Sequence, residues 1–186
     1  MKNARTLLHK LAKRLSTAVD ASSLRKPEFA ERLGISPSQF RALRSAKANP
    51  SLRTVSQIAR ALGLPLFELL ENRPLGAGRD LSADEMNAIL SGTIAARYRE
   101  SGMSYKEFAA LLGVSIPQLY LMLRGVSNPP ILTVVDLARR LALDPWILLG
   151  VRGPRTIRAG QPARGPGQKD ERGAEAPRVR PAPCRR

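Results

Sequence analysis

Cysteine is almost missing from this chain: Cys184 is the only one in 186 residues, so no internal disulfide can form. Histidine is equally scarce, and His9 with Cys184 cannot assemble the ligand cluster of a structural metal site. Both shortages suit a reducing cytoplasm. No apolar run approaches the roughly 18 residues that a membrane span requires. There is no Ser/His/Asp set, no carboxylate pair in a pocket-like context and no phosphate-cradling glycine loop, so neither catalysis nor a cofactor or small-molecule ligand is expected. Acid is the last deficit: 15 Asp and Glu stand against 31 Lys and Arg, a formal charge of +16. That surplus points to a polyanionic partner, nucleic acid first and an anionic membrane surface second.

What the chain does have is a repeat. Shifted by 79, residues 28–70 overlie 107–149 without a gap. Glu28, Phe29, Ala30, Leu33, Gly34, Ser36 and Gln39 fall on identical residues, as do Asn49, Pro50, Thr54, Ala59, Arg60, Leu62, Leu64, Leu69 and Leu70. Upstream the apolar phase survives, with Leu7, Leu11, Leu15 and Val19 over Met86, Leu90, Ile94 and Tyr98. Two copies cannot stack into an array, so this is a duplicated domain and not a solenoid. The basic, amphipathic start of the chain also resembles a transit peptide. A helix at the same place in the second copy favours an ordinary first helix instead.

Each copy reads as five short helices; in the first they are expected near 4–20, 26–33, 37–45, 52–62 and 66–71. Gly34 is placed to end the second helix in a left-handed conformation. Ser36 is placed to cap the third, with Pro37 at its first position and Gln39 completing a capping box. Few residues favour strands, and the class is all-α. The boundaries expected are 1–72 for the first domain, 73–82 for a Gly/Pro-containing linker, 83–150 for the second domain and 151–186 for a tail. Residues 152–186 hold six prolines, five glycines and nine arginines with few large apolar side chains. Such a segment is expected to be disordered, since burial cannot offset its ordering entropy.

Ala30, Gly34, Phe40 and Leu43, repeated as Ala109, Gly113, Leu119 and Met122, form a helix-turn-helix pattern. With Asn49–Pro50 and the ending "IARALGLPLFELL", each copy resembles the Cro/lambda-repressor-like (XRE) family. The resemblance implies five-helix domains whose third helix lies in the major groove of double-stranded DNA. It places Pro37, Ser38, Arg41 and Ala42 toward the bases, Gln39 at the edge of that face, and Arg41 and Arg44 as donor forks for guanine. Lys47, Asn49 and Arg53 would meet phosphates. Pro37 departs from the family's usual polar residue and shifts the burden to Ser38 and Arg41. Arg44 and Lys47 have a competing use as charges complementing a helix C-terminus.

The copies differ in charge. Residues 1–72 carry 13 basic and 5 acidic groups, net +8, whereas 80–150 carry 6 and 7, net −1. The tail, 151–186, is net +7. In the second copy the corresponding face holds Ile116, Pro117, Gln118, Tyr120, Leu121 and Arg124. Phosphate contacts supply much of DNA affinity, so this face is read as a surface for packing or self-association, giving a homodimer through the second domain. A second half-site met through thymine methyls is the competing reading. The function expected is a sequence-specific transcriptional regulator, a repressor in the bacterial cytoplasm or encoded by a phage or plasmid, on the nucleoid when bound. A protein-interaction adaptor and a non-specific architectural or RNA-binding protein remain as alternatives.

Overall fold

The computed structural model describes residues 4–76 and 78–152. The expectation of a disordered tail therefore falls, beyond Arg152, outside the described residues. Among these there are ten helices and no strand. The first copy holds α1 (Ala4–Asp20), α2 (Lys26–Arg32), α3 (Pro37–Arg44), α4 (Leu52–Ala61) and α5 (Leu66–Glu71). The second holds α6 (Ala83–Ser101), α7 (Tyr105–Leu112), α8 (Ile116–Leu123), α9 (Ile131–Arg140) and α10 (Pro145–Leu148). The order repeats, as the offset of 79 requires.

Local chemistry starts these helices. Ser36, Ser51, Ser82, Ser104 and Ser115 each accept a hydrogen bond from the backbone N–H three residues on, satisfying one donor that a helix start leaves open. In α6, α7 and α8 the third helical residue reaches back to close a capping box. The bonds from Ser82 and Ser104 hold the Glu85 and Glu107 carboxyls below the ordinary glutamate range. The box expected at α3 is absent: Gln39 N–H donates to Ser36 Oγ, but the Gln39 side chain does not return. Residue 38 explains the difference. Ser36 Oγ is shared with the Ser38 hydroxyl at 3.0 Å, whereas the second copy has Pro117 there and Ser115 Oγ donates to Gln118 Oε1.

The copies are joined by a shared core, not merely by the residues between them. Leu52 N–H donates to the Pro129 carbonyl and Ile131 N–H to the Pro50 carbonyl, both at 2.9 Å. Arg53 N–H donates to Asn128 Oδ1 and Leu132 N–H to Asn49 Oδ1, both at 3.1 Å. Adding 79 to the first-copy residue and subtracting 79 from the second-copy residue turns one bond of each pair into the other, which is the mark of a twofold relation between like surfaces. Phe67 and Trp146 are also equivalents, and their rings meet edge-to-face at 4.9 Å. Contacts of α1 with α9 and of α4 with α6 obey the same exchange.

One buried charge breaks the symmetry. Glu71 accepts from Trp146 Nε1 at 2.7 Å and from Lys10 Nζ at 3.0 Å. The equivalents of Lys10 and Glu71 are Ile89 and Gly150. Gly150 has φ +71, and a Cβ there would collide with the Ile89 side chain. Residues flanking the copies are drawn into the same body: Leu81 and Val151 are buried, Leu75 packs on the core, and Arg79 N–H donates to the Val151 carbonyl.

A shared core predicts one cooperative transition. In urea, helicity (both copies) and the fluorescence of Trp146, the only tryptophan, should lose signal together. Trp146→Ala should cost about 3–5 kcal/mol, the range for truncating a large buried aromatic. Two separated transitions in the unsubstituted protein would refute the shared core.

Candidate nucleic-acid interface

The first helix pair is held by small residues and aromatic packing. Ala30 on α2 is fully buried, and the Phe29 and Phe40 rings lie 5.7 Å apart. Gly34 has φ +71, and a Cβ there would run into the Gln57 amide nitrogen. That nitrogen donates to the carbonyls of Gly34 and Leu33 at 2.8 and 3.3 Å, so α4 straps the turn from behind. Gly113 has φ +63 and is crowded by Arg140 of α9, which donates to the Leu111 carbonyl at 3.0 Å. Each turn is thus fixed by the fourth helix of its own copy.

With Phe40 and Leu43 buried, α3 turns Pro37, Ser38, Gln39 and Arg41 outward. Ala42 and Arg44 are half-buried. The two arginines differ in surroundings. Arg41 has no side-chain partner among the described residues, whereas Arg44 Nε donates to Ser16 Oγ on α1 at 3.3 Å and its guanidinium lies 5.7 Å from the Phe40 ring. A surface cleft of about 370 Å³ brings Lys26 and Pro27 beside Pro37, Arg41 and Arg44. Lys26 was not singled out from the sequence; only the packing of α2 on α3 brings it there.

The loop after α3 divides its residues between two tasks. Lys47 is exposed beside Arg5, His9 and Asn49 at a second cleft of about 400 Å³. Arg5 and His9 also escaped the sequence reading, being separated from Lys47 by more than thirty positions. Asn49 and Arg53, expected at phosphates, have structural partners: Asn49 caps α9, and Arg53 pairs with Asp84 at 3.0 Å between two well-exposed side chains. An exposed pair of that kind contributes little to stability.

In the second copy Leu119 and Met122 are buried, and Ile116, Tyr120 and Leu121 are 47%, 51% and 45% exposed. Pro117, Gln118 and Arg124 are exposed with them. Gln118 is tied to Ser115, and Arg124 donates to the Tyr120 hydroxyl at 3.2 Å with its guanidinium over that ring. The result is an apolar ridge at the position that α3 makes polar.

The geometry is that of two helix pairs with a tight glycine turn, and the comparison with protein families agrees with it. A family model described as helix-turn-helix matches residues 23–69 and again 94–145. The chain belongs to the XRE-type helix-turn-helix family. Neither the curated proteins nor the solved structures gave a match. The first match runs from just before α2 into α5 and the second from within α6 into α10. This helix-turn-helix protein is a DNA-binding regulator. Among the described residues no helix is long and apolar enough to cross a membrane.

The different holds on the two arginines are separable by experiment. Arg41→Ala should weaken duplex DNA binding while leaving the melting temperature unchanged, because its exposed guanidinium makes no side-chain hydrogen bond or ion pair among the described residues. Arg44→Ala should lower both, since it loses a contact to α1 as well as a charge. Binding isotherms with parallel thermal melts check this; a lowered melting temperature for Arg41→Ala would contradict it.

Proposed function

We propose that this helix-turn-helix protein is a sequence-specific repressor that lays α3 in the major groove of its operator and blocks a promoter by occupying it. The observation that carries the proposal is Arg41, a charged fork without a side-chain partner among the described residues, on the exposed face of a helix whose opposite face is locked into the core. Its geometry matches guanine O6 and N7. Ser38, Gln39 and Pro37 share that face, and with the reciprocal cap absent the Gln39 amide is available for a base edge. Arg44 adds a charge at the margin. Lys26 and Lys47, with Arg5, suit the phosphates flanking the groove.

The ridge of Ile116, Tyr120 and Leu121 supports association of two chains through the second copy, as its composition suggests. Its place about the pseudo-twofold gives it a competing use on DNA. Adaptor and architectural functions have no comparable support, because neither needs an unpaired Arg41 on a rigid reading face. As a regulator of this type the protein would act in the bacterial cytoplasm or from a phage or plasmid.

Selection from random duplexes is the direct test: a short enriched motif is expected, and transcription in vitro from a promoter overlapping it should fall as protein is added. Equal retention of all sequences would overturn sequence-specific reading. The basic residues 155–186 should add phosphate contacts without choosing a sequence. A chain ending at residue 154 should keep the motif but show a shallower dependence of log affinity on log salt concentration. That end point spares Val151 and Arg152, which pack on the core and on Phe67. An unchanged salt slope would refute the tether.

A further inference from the structure

We infer that one chain is a complete reader of an asymmetric operator, with α3 on one half-site and α8 on the other through contacts of opposite chemistry. The inference rests on the reading that α3 enters the major groove. B-DNA carries twofold axes normal to its length, and a reader with a matching axis places equivalent helices about 10 bp apart on one side of the duplex. Most regulators of this kind acquire such an axis by pairing two chains; here it lies inside one. It passes between residues 49–53 and 128–132, and α3 and α8 end only a few residues before these segments. The axis therefore relates the two reading helices next to their C-terminal ends.

The second copy's poor charge is no obstacle under this arrangement. Joined to the first copy by a shared core, α8 meets DNA at an effective concentration set by the fold, so phosphate contacts made by the first copy serve both. The clefts beside the axis show the same division. On one side Arg5, His9 and Lys47 line an open cleft of about 400 Å³. The twofold-related cleft, with Asp84, Asn87 and Ser127, is reduced to about 10 Å³, and Asp84 is engaged by Arg53. One side grips phosphate, and the other does not.

The two reading faces then fit different bases. Arg41 fits guanine, whereas Ile116, Tyr120 and Leu121 offer apolar surface that matches the C5-methyl groups of thymine in the major groove. Arg124, stacked on Tyr120, holds that ring in place. The operator would carry a guanine-containing block and a thymine-rich block, unrelated by symmetry. A second chain seated on the α8 ridge is the competing occupant, and it would produce a symmetric site.

The test uses the full-length chain, with its Arg41→Ala, Tyr120→Ala and Leu121→Ala variants, in selection from random duplexes, followed by sedimentation of the complexes and thermal melts of the free proteins. One chain per duplex is expected, on a site of two unlike blocks about 10 bp apart. Arg41→Ala should relax the guanine block alone, and Tyr120→Ala and Leu121→Ala the thymine block alone, each by about tenfold at the affected pair. Replacing a contacted thymine by uracil should weaken binding about fourfold, the worth of one buried methyl group. Two chains on a symmetric site, or a site untouched by both Tyr120→Ala and Leu121→Ala with their melts unchanged, would overturn the inference and leave α3 reading intact. No enriched motif, or a motif indifferent to Arg41→Ala, would instead remove the α3 reading and this inference with it.

Discussion

Each copy of this fold starts its fourth helix on groups supplied by the other. A helix start leaves backbone N–H groups without intrahelical acceptors. At α4 and α9 two of these are met by the Pro129 and Pro50 carbonyls and by the Asn128 and Asn49 side chains. The dependence is mutual. Separating the copies would return four donors to water at once and uncover Phe67 and Trp146, whose rings close the centre of the interface. Strapping of the turns follows from the same place, since α4 and α9 also carry Gln57 and Arg140 to the glycine corners. Helices α3 and α8 are therefore positioned by an element that is itself positioned by the opposite copy.

A pseudo-twofold within one chain escapes a restriction that binds true dimers. Where an axis brings equivalent positions together, two identical chains must place identical residues there. Glu71 illustrates what the duplication permits. A buried carboxylate is stable only with partners, and here it takes the Trp146 indole and Lys10. A second glutamate at position 150 would find Ile89 where Glu71 finds Lys10, and so would lack its charged partner. Instead Gly150 and Ile89 fill that side with apolar contact. The same freedom separates the charges: net +8 in residues 1–72 and net −1 in residues 80–150 would be impossible for a symmetric pair.

The helices and the core were legible in the sequence because they depend on spacing. Ala30, Phe40 and Leu43, and likewise Ala109, Leu119 and Met122, are buried as the helical period demands, and the serine caps announce the helix starts. What escaped was contact over long separations. Asn49 follows a basic helix in an exposed loop, and nothing local distinguishes a phosphate ligand from a cap for a helix 83 residues away. Arg44 looks like Arg41 until α1 brings Ser16 to it across 28 positions. Gln39 failed for a subtler reason. Its box depends on whether residue 38 offers a competing hydroxyl, and Ser38 and Pro117 decide that in opposite senses.

Net charge counted segment by segment describes separable copies, and the shared core makes these two one body. A free domain of net −1 approaching a phosphate lattice would gain little from electrostatics. A domain fastened to a net +8 neighbour through buried aromatic and backbone contacts does not approach independently, and its ordering is settled on folding. Affinity and discrimination then need not reside on the same surface. On the proposed reading the first copy and the basic residues beyond the second would hold the duplex, while Ile116, Tyr120 and Leu121 would add discrimination without carrying the shared grip. Apolar drift on α8 is what relaxed charge selection in one half of a rigid pseudo-dimer would produce, and it leaves the twofold frame that positions α8 untouched.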